Sequence, residues 1–401
     1  DAGKVTDGQT NSIEVIKSQL RGENEAIIFL GDNIYQQGMP VEGHEERKNA
    51  EKYINPQIEL AKEFNNRAYF IPGNHDWAQG RPYGWTQVMR QEQYIEDRLD
   101  SLNIFLPDGG CPGPVQVDIS DELMLILIDT QWFLHHWDKP NEEVGSCEYA
   151  TAAEVLQALD QMLAMNRHKK IVVSTHLPMF TYGEHGGVFP IKYLFMPPVI
   201  GGLYPLYRSA FGSVQDVPNP IYKAVRNSIV SILEDYPNTI HAAGHEHSLQ
   251  YSYKDQVHYI VSGSGCKTTY VKKKGYAEFA ESVNGFAKVN IYEDGKTELE
   301  VWRSDNTMAF SKTLFTDKFR PRVSVDEFVK RYDLKDSVYV TNASNQYKAS
   351  ASKQKMFGEN YRKEWEQELE VPVFDIGSEH GGLKIVQRGG GLQTKSLRLQ
   401  A

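Results

Sequence analysis

Short, uninterrupted apolar runs alternate with stretches of helical spacing through the first half of the chain. Ile13, Ile16 and Leu20 recur at helical intervals and lead into Ala26-Ile27-Ile28-Phe29-Leu30. A second helical stretch over about 47–64 leads to Ala68-Tyr69-Phe70-Ile71, and Leu123–Ile128 is a third apolar run. A helix near 151–166 precedes Lys170-Ile171-Val172-Val173-Ser174, and Ile221–Leu233 precedes Thr239–Ala243. From there to about residue 304 the alternation has the period of strands: Leu249–Tyr253, His258–Val261, Phe286–Tyr292 and Glu298–Trp302. Helices alternating with buried strands, followed by a strand-rich end, predict an α/β fold of stacked sheets with helices outside.

Two segments break the pattern. Residues 187–218 are rich in Gly, Pro and aromatics, and a loop of that length in a compact domain has a role of its own or is disordered. Its prolines and Lys192 argue against a membrane span. Residues 319–401 turn polar and charged and read as a C-terminal extension or linker, which leaves 1–318 as the catalytic domain with 187–218 inserted in it.

The 401 residues, 40% of them hydrophobic, suffice for one large domain, or one large and one small. A net charge of −10 disfavours general binding of nucleic acid, so none is expected as a partner. A protein this acidic that acts on anionic phosphates must supply positive charge locally, and bound metal ions would do so. Cys111, Cys147 and Cys266 show no metal-binding spacing; one bridge with a free thiol and three buried thiols are both open. The chain holds no signal peptide or transmembrane run and, opening on Asp1, reads as a mature form or an excised fragment.

Five short motifs carry the chemistry: Asp1-Ala2-Gly3, Gly31-Asp32-Asn33-Ile34-Tyr35, Gly73-Asn74-His75-Asp76, Ser174-Thr175-His176 and Gly244-His245-Glu246-His247. The last four each follow an apolar run, and polar residues at the carboxyl ends of strands are where α/β folds place their sites. Carboxylate, amide oxygen, imidazole and phenolate form a donor set suited to iron, zinc or manganese rather than calcium. Each motif alone has a bland reading: Asp32 as a turn residue, His176 as a core histidine, Tyr35 as a packed aromatic. The ordered set is what points to metal.

That set resembles the calcineurin-like metallophosphoesterase superfamily. Within it, the Tyr three residues after Asp32 and the Asp-x-Gly first motif are similar to the small, mammalian-type purple acid phosphatases, here as a bacterial member. The resemblance covers roughly residues 1–304. It implies a four-layer αββα sandwich and a phosphomonoesterase using a hydroxide on a dinuclear centre. Asp1, Asp32, Tyr35 and His247 would hold Fe(III), with Asp32 bridging to a second site of Asn74, His176 and His245 for Fe(II), Zn or Mn. His75 and His185 would sit over the phosphate as proton donors, and Asp76 would orient His75. The substrate is then a small phosphate ester. Asp1 lacks the apolar strand that precedes the first motif in the family, and 187–218 is longer than the equivalent loop.

The alternatives are a phosphodiesterase or nucleotide-directed member of the superfamily, and a cell-envelope interaction module with a secondary or vestigial phosphatase site. An envelope or membrane-protein partner would dock through 187–218 or 319–401, since the tail loosely resembles the link to an outer-membrane barrel in some bacterial phosphatase fusions. An exported, periplasmic or cell-surface location is expected. His44, His168, His258 and His380 have no motif around them and read as surface or core residues, while His135-His136-Trp137 could line the cleft.

Overall fold

The computed structural model describes residues 1–316, save 22–23, 66, 142–143, 145–146, 168, 191, 194–206, 210–212, 214 and 238. Beyond these it describes three strands, Ser337–Thr341, Val373–Asp375 and Leu383–Gln387, paired as an antiparallel sheet with Leu383–Gln387 in the middle. His168, His380, most of 194–214 and most of the 319–401 extension therefore lie outside the described residues, as does most of the surface expected to meet an envelope partner.

Two strands, β1 (Ile27–Phe29) and β2 (Ala68–Phe70), form a small parallel sheet. The larger sheet has seven: β3 (Val115–Asp118), β4 (Leu123–Ile128), β5 (Lys170–Thr175), β6 (Thr239–Ala243), β7 (Leu249–Lys254), β8 (Val257–Ser262) and β9 (Ala277–Glu281), in the order β3-β4-β5-β6-β8-β7-β9. Its centre, β4-β5-β6-β8, is parallel, and the other pairings are antiparallel. An antiparallel meander follows: β10 (Gly285–Ile291), β11 (Thr297–Arg303) and β12 (Met308–Phe315). The helices of a turn or more are α1 (Asp7–Gln19), α2 (Arg47–Lys62), α3 (Gly84–Leu99), α4 (Thr130–Leu134), α5 (Ala152–Met165) and α6 (Pro220–Leu233). Among the described residues no helix is long and apolar enough to cross a membrane.

Side-chain alternation sets the layers, because neighbouring strand residues point to opposite faces. Met124, Ile126 and Ile128 of β4, with Ile171 and Val173 of β5, pack against Leu156, Leu159 and Leu163 of α5 and Ile229, Ile232 and Leu233 of α6. Leu125, Leu127 and Val172 face the other way, into a core shared with Ile28, Tyr69, Val289, Leu299 and Val301 of the two smaller sheets. Phe29 and Phe70, on the far side of β1 and β2, stack at 4.2 Å and meet α1, α2 and α3. Helices, sheet, sheet and helices give the expected αββα order. A strand buried on both faces favours a near-continuous apolar run, as Leu123–Ile128 has.

Helix starts are fixed locally. Thr151 and Glu154 form a reciprocal capping box at α5, and the Asn219 side chain caps α6 with Pro220 in the first turn. Helix α3 has no counterpart among the elements expected from the sequence. Gln87 and Gln91 occupy its buried face beside Val88 and Ile95, so the apolar stripe that would announce it is broken. The cysteine question resolves as one bridge, Cys111–Cys147, with Cys266 a buried thiol.

Candidate metal centre

Asp32, Asn74, His176, His245 and His247 all stand just beyond the carboxyl ends of β1, β2, β5 and β6. The strand ends deliver them from two sheets to one place between the layers. Asp32 and His245 hold left-handed backbone conformations (φ 53° and 67°), which turn their side chains back toward the centre. Gly31 has φ 86°, and a Cβ there would press into the His176 ring; one at Gly73 would press into the Asp32 carboxylate. Only glycine lets these two loops approach closely enough for Asp32 and His176 to meet.

Two donor clusters result, and they share one residue. Asp32, His176 and His245 form one, Asp1, Asp32 and His247 the other, and all are buried. In the first, the His176 Nε2 lies 3.3 Å from Asp32 Oδ1 and 2.9 Å from Asn74 Oδ1, while His245 Nδ1 lies 3.0 Å from the same amide oxygen and 3.2 Å from His176 Nε2. In the second, the Tyr35 hydroxyl donates to Asp1 Oδ1 at 3.0 Å and sits 3.2 Å from His247 Nε2. Asp1 is held by its nitrogen, which donates to the Gly31 carbonyl at 2.8 Å, and by the His245 N–H on Oδ2.

Electrostatics suits cations here. Burial holds the His176 imidazole down to about 4 and pushes those of His245 and His247 well below their ordinary value, so their nitrogens keep lone pairs. Burial opposes charge on Asp32, but His176, His75 and His245 outweigh it and hold the carboxyl below its usual range. Burial, then the Asp32 charge, pushes the Tyr35 phenol far up, a penalty that a nearby cation would reverse. Imidazole, amide and carboxylate atoms converging in burial fit metal ions.

Above these ligands stand His75 and His185, with side chains 12% and 15% exposed against 8% or less for Asp1, Asp32, His176 and His247. His75 is held by its own N–H on Asp32 Oδ1 at 2.9 Å and by its Nδ1, 2.7 Å from the Gln36 carbonyl. This corrects the role expected for Asp76. Its carboxylate accepts from the N–H groups of Gly73, Asn33 and Ile34, at 2.7, 3.1 and 3.1 Å, and so staples the second motif to the third instead of orienting the His75 ring. Burial and the Asp32 charge raise the Asp76 carboxyl to about 7.

Three supporting residues escaped the sequence reading. Asp216, fully buried, lies 3.0 Å from His185 Nδ1 and accepts from Arg208 Nε at 2.9 Å and Nη2 at 2.6 Å. Glu246, between the two histidines of its motif, accepts from Thr181, the His185 N–H and Thr269, each at 3.0 Å. Lys267 places its ammonium 3.9 Å from the Tyr35 ring centroid. Only Glu246, inside a motif, carried a signal. His135, one of the residues that could have lined the cleft, is buried against Trp77, which donates to Asp129 at 2.6 Å.

Two donor sets joined by one carboxylate, with two imidazoles above them, are the makings of a two-metal hydrolase. The chain belongs to the calcineurin-like phosphoesterase family, whose profile matches residues 6–249, and it is a metal-dependent phosphoester hydrolase. No curated protein sequence matches it. Among solved structures it is similar to GAP50, the anchor in the inner membrane complex of Plasmodium, at 16% identity over 79% of this chain and 87% of that one (TM-score 0.52), a likeness of fold. Purple acid phosphatase PPD1 from yellow lupin (Lupinus luteus) seeds aligns at 15% identity over 78% of this chain and 50% of that one (TM-score 0.48).

Proposed function

We propose that the protein is a phosphomonoesterase working with two metal ions, and that the observation carrying this is the sharing of Asp32 by two buried donor clusters beneath His75 and His185. Asp1, Asp32, Tyr35 and His247 would hold one ion; Asp32, Asn74, His176 and His245 would hold the other. Bound there, the ions supply positive charge to the ester and an activated water. The chain's own residues do the rest. His75 and His185 face the ester oxygens and donate protons or hydrogen bonds, one of them to the departing alkoxide. Gln36 and Asp216 fix the two rings, and Asp76 and Glu246 fix the loops beneath them.

Tyr35 supports ferric iron at the first site, since a phenolate is a strong donor to Fe(III), with Fe(II), Zn or Mn at the second. The test is metal analysis of purified protein with its visible spectrum and its turnover of 4-nitrophenyl phosphate against bis(4-nitrophenyl) phosphate. Two metals per chain, a band lost in Tyr35→Phe, and monoester preference are expected. A colourless protein with oxidised iron in both sites refutes the phenolate ligand, and diester preference refutes the monoester reading. The Cys111–Cys147 bridge supports an exported, periplasmic or cell-surface location, where disulfides persist. Cell fractionation with thiol labelling checks it: cytosolic protein with free Cys111 overturns it.

A further inference from the structure

Beside the metal centre lies a cavity of about 620 Å³ that has Tyr35 and Gln36 in its wall. These consecutive residues also serve the centre, Tyr35 through its hydroxyl on Asp1 and Gln36 through its carbonyl at His75. If His75 protonates the departing oxygen, the alcohol leaves along the wall that Gln36 builds. The cavity is sized for more than a methyl or ethyl group, and Tyr53 and Tyr83 give it aromatic sides.

Its charge is more specific than its shape. Lys4 and Arg90 line it against one carboxylate, Glu46, which already accepts from Asn49 at 3.0 Å. Lys267 stands over the Tyr35 ring, close enough to Lys4 for the two to repel, and its charge also reaches His75 and His247. Among the described residues neither lysine ammonium is in an ion pair. Asp32 offsets part of the Lys267 charge, but in a chain of net charge −10 cations gathered with so little opposing charge favour an added anion. Two metal ions already match the phosphoryl group under the reading above, so these cations exceed what that group requires.

We propose that this cavity holds the alcohol portion of the ester and that the preferred substrates carry a second phosphate on that alcohol, recognised by Lys4 and Arg90 in its wall and by Lys267, which reaches it over the Tyr35 ring. The inference rests on the phosphomonoesterase reading and narrows it to bisphosphorylated alcohols. Lysine ammonium and arginine guanidinium groups both make charge-assisted hydrogen bonds to phosphate oxygens.

The test compares three esters on metal-loaded protein: butane-1,4-diol monophosphate, its 1,4-bisphosphate, and 4-phosphooxybutanoate. We expect kcat/KM for the bisphosphate to exceed that for the monophosphate by about 10-fold, the worth of one good charge-assisted contact. Lys267→Gln and Lys4→Gln should each cut that ratio several-fold. Lys4 is exposed, so its variant folds even if the Lys267 variant does not. A second readout is calorimetric affinity for butane-1,4-bisphosphonate against butylphosphonate, in wild type and Lys4→Gln. Equal kcat/KM for the first two esters, in protein that turns over 4-nitrophenyl phosphate, overturns the inference alone. A ratio that survives both substitutions also overturns it, and a carboxylate ester as good as the bisphosphate overturns the preference for phosphate. If no ester is hydrolysed, the phosphomonoesterase reading fails, and the phosphonate affinities decide the cavity: tighter bisphosphonate binding lost in Lys4→Gln supports it, and equal affinities overturn it.

Discussion

The floor and the rim of the metal centre are built in different ways. Asp1 aside, the floor residues leave the ends of paired strands, and their positions follow from sheet register and two glycines. The rim residues stand outside the sheets, His75 in a turn and His185 in a short 3-10 helix (Glu184–Gly186), and each is held by a group distant in sequence: the Gln36 carbonyl, 39 residues away, and the Asp216 carboxylate, 31 residues away. The floor therefore depends on the whole fold, the rim on a few hydrogen bonds. Damage to the floor should empty the site, whereas damage to the rim should leave it loaded and slow.

The largest effect should come from Asp32→Asn. Losing the carboxylate common to both clusters should cost bound metal at both positions and abolish turnover, read by metal analysis and initial rates. Two metals with near-normal rates would show that the clusters are independent. Next, His75→Ala and His185→Ala should keep both metals and lose on the order of 10²–10⁴ in kcat, less for esters with good leaving groups. Metal loss in either variant would erase the distinction between floor and rim. Asp216→Asn should cost less, about 10²-fold in kcat with metals retained, because it misaims a ring without removing it. Asp216→Glu should recover part of the rate, and no recovery would mean that Asp216 serves only the packing of its loop.

The smallest effect concerns neither floor nor rim. Burial holds His258 to about 4 and His241 to about 3, below the ordinary histidine value near 6.5. Both are neutral in the folded chain and become charged once unfolded. Their contribution is whole above pH 6.5 and is lost as pH falls toward 4, at up to about 1.4 kcal/mol per pH unit for each group. The melting temperature of metal-free protein should fall over that interval, and His258→Asn should flatten the slope. An unchanged slope would remove His258 from the acid response.

What could be read from the sequence follows the same division. Apart from Asp1, the floor was legible because its ligands follow apolar runs, as His176 adjoins Lys170–Thr175. The layer order was legible because the strands covered on both faces are mostly apolar, Leu123–Ile128 without a break. The supports of the rim were not. Asp216 sits in a stretch without motif or periodicity, and nothing local tells that it reaches His185. Asp76 adjoins His75 in sequence, yet its carboxylate turns inward to three backbone N–H groups, which sequence adjacency does not reveal. Helix α3 was hidden by its buried glutamines. The cysteine pairing was open because three thiols carry no register of their own.

The Cys111–Cys147 bridge closes a covalent ring with a sequence separation of 36. Threaded into that ring are β3, β4, Asp129 and α4, so it embraces one edge of the large sheet together with the strand beside β5. On a chain-entropy account a ring of this length is worth about 4 kcal/mol against unfolding. A reductant would therefore act as a local solvent of this edge, loosening the β3–β4 corner while β1, β2 and the glycine-set loops that carry Asp32 and Asn74 stay outside the severed ring.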